Sequence, residues 1–228
     1  MSNQSSLILT LDLFRKLRLT VGLCLLVGFT AIAQAEGKLN IAKSANDIHP
    51  VKTGERVPAF MVKNPDGKDF YFGPDRVTKP TVLVLYRGGW CPYCNVQLQD
   101  LRKVLPQIRA KGAQVLFISG DRPDVLYSSL KEKTKEEIHD LNYKIYSDAD
   151  MQASSALGVA FSPSGFGIQF LKARSSLKGS SLREHDALPV PSVFVVDTRG
   201  VITYAFTDPN FKIRLPAEDV LAAVDTAL

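Results

Sequence analysis

Short apolar runs alternate with longer amphipathic stretches along most of the chain, which is the pattern of a sheet flanked by helices. Two of these runs, residues 82–85 and 115–118, are uninterrupted and rich in β-branched residues, as strands are when a sheet is covered on both faces. Between them, leucine and isoleucine recur at helical spacing from Leu98 to Ile108. This order of strand, helix and strand predicts a β-α-β unit with parallel strands and a right-handed crossover.

Turn sequences predict a β-hairpin on each side of this unit. In both hairpins a turn that contains Asp and Gly separates two segments with β-strand character. The first hairpin combines segments 58–62 and 69–72 around Asn-Pro-Asp-Gly, and the second combines 193–196 and 201–206 around Asp-Thr-Arg-Gly. The chain is therefore predicted to be α/β, with a central mixed sheet flanked by helices and an N-terminal hairpin.

The helix after the first strand is predicted to run from Pro92 to about Ala110, with a kink at Pro106. A second helix is predicted from Asp121, acting as its N-cap, to about Ile138. The remaining predicted elements are shorter: a strand at 143–146, a helix at 151–157, a helical stretch at 168–177 and a final helix at 217–227. The glycine- and serine-rich segment 159–186 is predicted to be a lid or an insertion.

The candidate chemistry lies where the strand at 81–86 gives way to the helix. Cys91 directly precedes Pro92 at the predicted helix start, where free backbone N–H groups and the helix dipole favour a thiolate. Cys94 lies one turn further, so its sulfur can reach that of Cys91. The pair is predicted to be a redox dithiol. A zinc site would need a second C-x-x-C or an H-x-x-x-H, which the chain does not have, and a structural disulfide closing so short a loop would restrain the unfolded chain little.

The stretch Y-R-G-G-W-C-P-Y-C-N and its amphipathic helix resemble the active-site segment of the peroxiredoxin-like alkyl hydroperoxide reductase C and thiol-specific antioxidant family, within the thioredoxin superfamily. The resemblance covers roughly residues 55–228 and implies a thioredoxin-like fold. The chain departs from the family at one point. Typical peroxiredoxins carry Thr or Ser three residues before the peroxide-attacking cysteine, whereas this chain has Gly88 before Cys91 and Cys91 itself before Cys94.

Four further residues are predicted to position the substrate. Trp90 is expected to pack over the dithiol, and Arg87 and Arg122 are the cations expected to stabilise the thiolate or polarise a peroxide. The resemblance to thioredoxin-like proteins implies that Pro191 lies against the dithiol and that the Val190–Pro191 peptide bond is cis.

Three functions remain open from the sequence. One is a thiol peroxidase, in which a hydroperoxide oxidises one cysteine, the other closes a disulfide and an external thiol reopens it. Another is a thiol-disulfide oxidoreductase acting on protein disulfides, with Cys91 attacking. The third is a copper carrier with His185 as a possible third ligand. Local electrostatics favour Cys91 as the attacking residue, while the peroxiredoxin spacing would favour Cys94. No cofactor and no bound metal are predicted for either enzyme.

The first 35 residues are predicted to be a cleaved signal peptide. Arg15, Lys16 and Arg18 precede the apolar run 19–32, which is shorter than the roughly 20 residues that span a bilayer, and Ala-Gln-Ala precedes Glu36. An exported protein with no stable membrane insertion after cleavage is therefore expected. Residues 36–56 are predicted to be a flexible arm and residues 57–228 the domain. The net charge of +5 is scattered along the chain, which argues against nucleic-acid binding.

Overall fold

The computed structural model describes residues 38–173, 177 and 179–228. The strands are β1 (Phe60–Lys63), β2 (Asp69–Phe72), β3 (Thr81–Tyr86), β4 (Gln114–Ser119), β5 (Lys144–Ser147), β6 (Ala160–Phe161), β7 (Leu188–Pro189), β8 (Ser192–Val196) and β9 (Ile202–Thr207). The helices are α1 (Pro92–Leu101), α2 (Leu105–Ala110), α3 (Glu132–Ile138), α4 (Gln152–Ala156), α5 (Phe166–Lys172), α6 (Ser181–His185) and α7 (Ala217–Val224). Short 3₁₀ turns lie at Ala45–Asp47, Pro123–Val125, His139–Leu141 and Asp225–Ala227.

Seven strands form a mixed sheet in the order β2-β1-β5-β4-β3-β8-β9. The three central strands, β5, β4 and β3, are parallel to one another, and the strands on either side join antiparallel. A separate two-stranded sheet pairs β6 with β7. The predicted β-α-β unit, both hairpins and the mixed sheet flanked by helices are confirmed, and together they make the thioredoxin-like α/β fold.

The core lies on both faces of the sheet because side chains alternate along its strands. Val82, Val84 and Tyr86 of β3 face one layer, which includes both cysteines and residues of α1, α2 and α7. Leu83 and Leu85 face the other layer, which includes residues of β1, α4 and the segment between α4 and β8. Every side chain of β3 is buried, as the uninterrupted apolar run predicted.

The predicted helix from Pro92 to Ala110 is two helices, not one with a kink. α1 ends at Leu101 and α2 begins at Leu105, with Pro106 in its first turn. Pro106 has no N–H for the carbonyl of Arg102, and its ring would clash with that carbonyl in a continuous helix. A first helical turn tolerates the missing donor, so the chain restarts its helix there.

The prediction of a helix from Asp121 to Ile138 is also wrong for the first half of that range. A 3₁₀ turn at Pro123–Val125 is followed by a separate helix that begins at Glu132. Asp121 does not cap a helix because its carboxylate is buried, where it accepts hydrogen bonds from the Gly89 N–H and the Ser129 hydroxyl. The side chain that was predicted to start a helix instead holds the loop before the dithiol.

Residues 38–56 are not a flexible arm in the structure. Ala42 forms a parallel bridge with Phe161, and its N–H donates to the Ala160 carbonyl at 2.9 Å. Further along, the His49 and Val51 N–H groups donate to residues 157–158, and the Gly54 N–H donates to β9. These backbone partners, which the irregular sequence did not reveal, hold the segment against the domain.

The described residues of 159–186 are anchored in the core rather than forming a detached lid. Phe161, Leu177 and Leu182 are buried in the layer that also receives Leu83 and Leu85. The predicted helical stretch corresponds to α5, which ends at Lys172. Residues 174–176 and 178 lie outside the described residues.

The proposed signal peptide, residues 1–35, also lies outside the described residues. In the part of the chain that is described, no helix has both the length and the apolar character needed to cross a membrane.

Candidate active site: a buried dithiol

The two cysteines lie at the amino end of α1, which begins shortly after the Gly88-Gly89 turn that follows β3. Cys91 is the N-cap, with extended backbone angles (φ −83°, ψ 120°), and Pro92 is the first helical residue. The Cys91 carbonyl accepts the N–H groups of Cys94 and Asn95 at 3.1 and 3.2 Å, so the first helical turn closes on Cys91. Both cysteines are free thiols, with 2% of Cys91 and 0% of Cys94 exposed.

The two thiols have opposite electrostatic environments. Hydrogen bonding from the Cys94 side chain is the main cause that lowers the pKa of Cys91 to about 6, and the Cys94 backbone N–H, Arg214 and Arg87 lower it further. Burial raises the pKa of Cys94 well above its ordinary value, and a thiolate on Cys91 raises it further. Near neutral pH, Cys91 is therefore the thiolate and Cys94 its protonated donor. This difference makes Cys91 the more reactive thiol of the pair, and its role as the nucleophile stays a prediction.

Among the described residues, Arg214 is a cation that contacts the dithiol, and no sequence motif predicts this contact. Its Nη2 donates to Cys94 Sγ at 3.5 Å and its Nη1 donates to Gln97 Oε1 at 2.7 Å. The segment between β9 and α7, in which Arg214 lies, folds across the amino end of α1. Phe211 of this segment meets Tyr93 edge-on, with 5.6 Å between the ring centroids.

Arg87 lies beside the dithiol, where its charge lowers the pKa of Cys91. Its guanidinium stacks 4.0 Å from the centroid of Phe211 and lies 5.8 Å from that of Phe161. The Arg87 Nε is buried without a hydrogen-bond partner in the described structure. Burial among aromatic rings lowers the pKa of Arg87, which nonetheless remains charged at neutral pH.

Trp90 contacts both core layers at the point where α1 begins. Its indole Nε1 lies close to Gly88. A Cβ added to Gly88 would come within 2.4 Å of that nitrogen and 2.5 Å of Asp121 Oδ1. Gly88 also has φ +146°, a conformation that residues with side chains rarely adopt. The space that a side chain would need at this position is filled by Trp90 and Asp121.

Two buried polar residues hold the turn and the helix start together. Asp121 accepts from the Gly89 N–H at 2.7 Å, and burial raises its pKa to about 6. Asn95 donates from its amide to the carbonyls of Gly89 and Cys91 at 2.6 and 2.9 Å, and its oxygen accepts the Lys131 N–H at 3.0 Å. The backbone around Cys91 is thus fixed from both sides.

The prediction of a cis bond at Val190–Pro191 is wrong, since no peptide bond among the described residues is cis. Pro191 is buried directly before β8, where its missing N–H costs no ladder bond. The Val190 N–H donates to Val159 and its carbonyl accepts the Ser192 hydroxyl, so both flanking groups are satisfied. Since Ser192 pairs with Leu85, Pro191 lies beside the end of β3 that leads to the dithiol. Its role in positioning substrate stays a prediction.

Among the described residues, no contact joins Arg122 or His185 to the dithiol. Arg122 is exposed and pairs with Asp124 at 3.0 Å and Glu184 at 3.4 Å. His185 is exposed at the end of α6. In the described ranges, no three His, Cys, Asp or Glu side chains group closely enough to hold a metal, so the copper alternative lacks its third ligand.

Three residues of the site are not among those predicted from the sequence: Asn95, Asp121 and Arg214. Asn95 is the last residue of the motif Y-R-G-G-W-C-P-Y-C-N, and Asp121 stands at a predicted helix start, so local patterns mark both positions without indicating their partners. Arg214 lies 120 positions from Cys94, and only the tertiary structure brings the two together.

Comparison with known proteins identifies the family of the chain. A family profile described as "AhpC/TSA family" matches residues 53–205. The chain is 27% identical over 161 residues to "Peroxiredoxin Bcp" of Escherichia coli (strain K12), which covers 71% of this chain and 88% of that protein. It is 25% identical over 176 residues to "Thiol-disulfide oxidoreductase ResA" of Bacillus thuringiensis, which covers 75% of this chain and 90% of that protein.

The fold is shared with solved structures as well. A peroxiredoxin-like protein from Aquifex aeolicus superposes with a TM-score of 0.57 at 18% identity, covering 83% of this chain and 98% of that one. At this identity the likeness concerns the fold alone. It agrees with the mixed sheet and flanking helices described above.

Proposed function

The chain belongs to the AhpC/TSA family, and on this premise we propose that it is a thiol peroxidase that reduces a small hydroperoxide at Cys91. Its relatives among peroxiredoxins and thiol-disulfide oxidoreductases make it an oxidoreductase.

The observation that carries the peroxidase proposal is the burial of a low-pKa thiol. Cys91 has a pKa of about 6 and is only 2% exposed. A hydroperoxide is small enough to reach a buried thiolate through a narrow opening. The charges of Arg87 and Arg214 near the dithiol would also stabilise the negative charge that develops on the departing oxygen.

The reaction follows from the two thiols. The Cys91 thiolate attacks the distal oxygen of ROOH, the O–O bond breaks, and the alkoxide takes a proton to leave as ROH, which converts Cys91 to the sulfenic acid. The Cys94 sulfur then attacks Cys91 Sγ, and hydroxide leaves as water with the Cys94 proton. Two electrons from an external thiol reductant return the disulfide to the dithiol.

Disulfide reduction is the second candidate, and the surface of α1 favours it. Tyr93 and Val96 beside the dithiol are 39% and 64% exposed. A groove of about 560 Å³ along α1 is lined by these two residues together with Gln97 and Arg214. Such a surface could accept either a protein disulfide or the protein that reduces Cys91–Cys94.

One measurement on one protein separates the two candidates. Purified residues 36–228, reduced and freed of excess thiol, are mixed with hydrogen peroxide or with insulin, and the fluorescence of Trp90, the single tryptophan, follows oxidation of the dithiol. The peroxide rate should exceed that of a free thiol by several orders of magnitude and should follow the ionisation of Cys91 near pH 6. Cys91→Ser should abolish it. A peroxide rate no higher than that of free cysteine, together with fast insulin reduction, would favour the oxidoreductase.

We propose further that the protein is exported and acts outside the cytoplasm, in the periplasm or the medium. The support is the order of a basic start, a short apolar run and Ala33-Gln34-Ala35 within the first 35 residues. In that setting a dedicated thiol donor must keep the dithiol reduced. Mass spectrometry of the protein recovered from the periplasm or medium should give a chain beginning at Glu36. An intact N-terminus that retains Cys24 would contradict cleavage.

A further inference from the structure

We propose that Arg214 enables the Cys91–Cys94 disulfide to reopen by stabilising Cys94 as the departing thiolate. This role concerns the reductive half of the cycle, which both candidate functions share. The inference therefore does not depend on whether a peroxide or a disulfide oxidises the protein.

Two hydrogen bonds orient the guanidinium of Arg214 towards Cys94. Its Nε donates to the Phe211 carbonyl at 2.8 Å, and its Nη1 donates to Gln97 Oε1 at 2.7 Å. With these two groups anchored, Nη2 donates to Cys94 Sγ at 3.5 Å. Gln97 lies three residues after Cys94 on the same face of α1, so the helix itself places the amide that holds the arginine beside the sulfur.

Cys94 needs such a partner because of its surroundings. Its side chain is fully buried and packs in the core layer with Leu98 and Tyr86. A thiolate there loses its hydration, which makes an uncompensated charge costly. Arg214 is a cation within hydrogen-bond distance of this sulfur, and charge-assisted hydrogen bonds are the stronger kind. Arg87, the other nearby cation, is instead stacked on Phe211.

The step can be written with its electrons. An external thiolate attacks Cys91 Sγ and forms a mixed disulfide, the Cys91–Cys94 bond breaks, and its electron pair goes to Cys94 Sγ. A second thiol of the reductant then displaces Cys91, which leaves as its own low-pKa thiolate, and the reductant becomes a disulfide. A sulfur that is more stable as a thiolate leaves faster, so the charge of Arg214 accelerates the first of these displacements.

The test measures reopening without peroxide or insulin. The protein is oxidised with diamide, freed of excess reagent and mixed with dithiothreitol, and reduction is followed by Trp90 fluorescence. Arg214→Gln keeps a hydrogen-bond donor but removes the charge, and should slow reopening by about ten- to hundredfold. Equilibration in dithiothreitol redox buffers should show the disulfide favoured in this variant, by about 30 mV for each tenfold change in the equilibrium constant.

Arg87→Gln is the matched control, because both arginines act on Cys91 but only Arg214 contacts Cys94. Both variants should slow alkylation of Cys91 in the reduced protein, whereas Arg214→Gln alone should strongly slow reopening. Gln97→Leu removes the amide that holds Arg214 but keeps the charge of Arg214, and should give an intermediate rate of reopening. If Arg214→Gln fails to fold, the rate in Gln97→Leu tests the proposal instead. Reopening in Arg214→Gln within twofold of wild type, or slowed equally in Arg87→Gln, would overturn the proposal. A protein that shows the Arg214 effect but no peroxide turnover would leave this inference intact and refute only the peroxidase.

Discussion

The carboxylate of Asp121 accepts a 2.7 Å hydrogen bond from the N–H of Gly89, which links the loop after β4 to the turn that precedes the dithiol. The same oxygen also accepts the Ser129 hydroxyl at 2.8 Å. Asp121 is 1% exposed, so a carboxylate there depends on these donors. This arrangement makes the stability of the fold depend in part on the ionisation of Asp121.

Asp121→Asn should change how stability depends on pH. The pKa of Asp121 is raised to about 6 in the folded chain, against about 3.9 when unfolded. An acid whose pKa is raised by folding supports the fold fully below its unfolded pKa, and this support is lost as the pH rises through its folded pKa. The variant should therefore gain about 3 kcal/mol relative to wild type between pH 4 and pH 7. Urea unfolding at several pH values measures the difference.

Asp121→Ala is the control for the hydrogen bonds alone. It leaves the Gly89 N–H without its partner, and should be less stable than Asp121→Asn by about 1–3 kcal/mol at every pH in that range. If the stability of Asp121→Asn tracked that of wild type across the whole range, Asp121 would not be the titrating group.

The reactivity of Cys91 should depend on the donor at position 94. Iodoacetamide alkylation of the wild type should rise with pH through about pH 6 and level off above it, because the thiolate is the reacting form. Cys94→Ser retains a hydroxyl donor and should keep this profile. Cys94→Ala removes the donor and should move the profile towards the ordinary cysteine pKa of about 8.5.

Cys91→Ser completes the comparison and should lose the alkylation near pH 6. The opposite result, with low-pH alkylation retained in Cys91→Ser and lost in Cys94→Ser, would make Cys94 the nucleophile and the peroxiredoxin spacing the correct guide. Liquid chromatography with mass spectrometry assigns the alkylated residue in each variant.

Gly88→Ala should destabilise the protein by about 3 kcal/mol or more. The added Cβ would meet Trp90 and Asp121 within 2.4 and 2.5 Å, and φ is +146°. Gly67→Ala is the matched control, since φ there is +77° but nothing lies within 4 Å of the added Cβ. It should cost only about 1–2 kcal/mol of backbone strain. Equal losses in the two variants, measured by urea unfolding, would show that crowding at Gly88 contributes nothing.

Asn95→Ala should cost about 2–4 kcal/mol, because it leaves the Gly89 carbonyl and the Lys131 N–H without their partner and removes the side-chain bond to the Cys91 carbonyl. Gln99→Ala, one turn further along α1, removes one side-chain bond to Thr134 at a half-buried position and should cost about 1 kcal/mol. Thermal unfolding of both reduced proteins makes the comparison. A smaller loss for Asn95→Ala than for Gln99→Ala would contradict the holding role of Asn95.

Local patterns in the sequence determined the central architecture. The uninterrupted apolar runs at 82–85 and 115–118 became β3 and β4, because a strand covered on both faces needs apolar residues at every position. The turn sequence around Gly67 became a hairpin, and the placement of Cys91 before Pro92 made it the helix N-cap. Each of these features depends on residues close together in the chain.

Tertiary structure alone decided which distant groups meet at the dithiol. Asp121 could cap a helix or enter the core, and the Gly89 N–H, 32 positions away, supplied the partner that draws it inward. Residues 38–56 show no periodicity, yet the free backbone groups of 157–160 pair with them. Arg214 reaches Cys94 because the segment after β9 crosses α1. A hydrogen bond between groups so far apart leaves no local pattern, since neither residue's neighbours in the chain specify its partner.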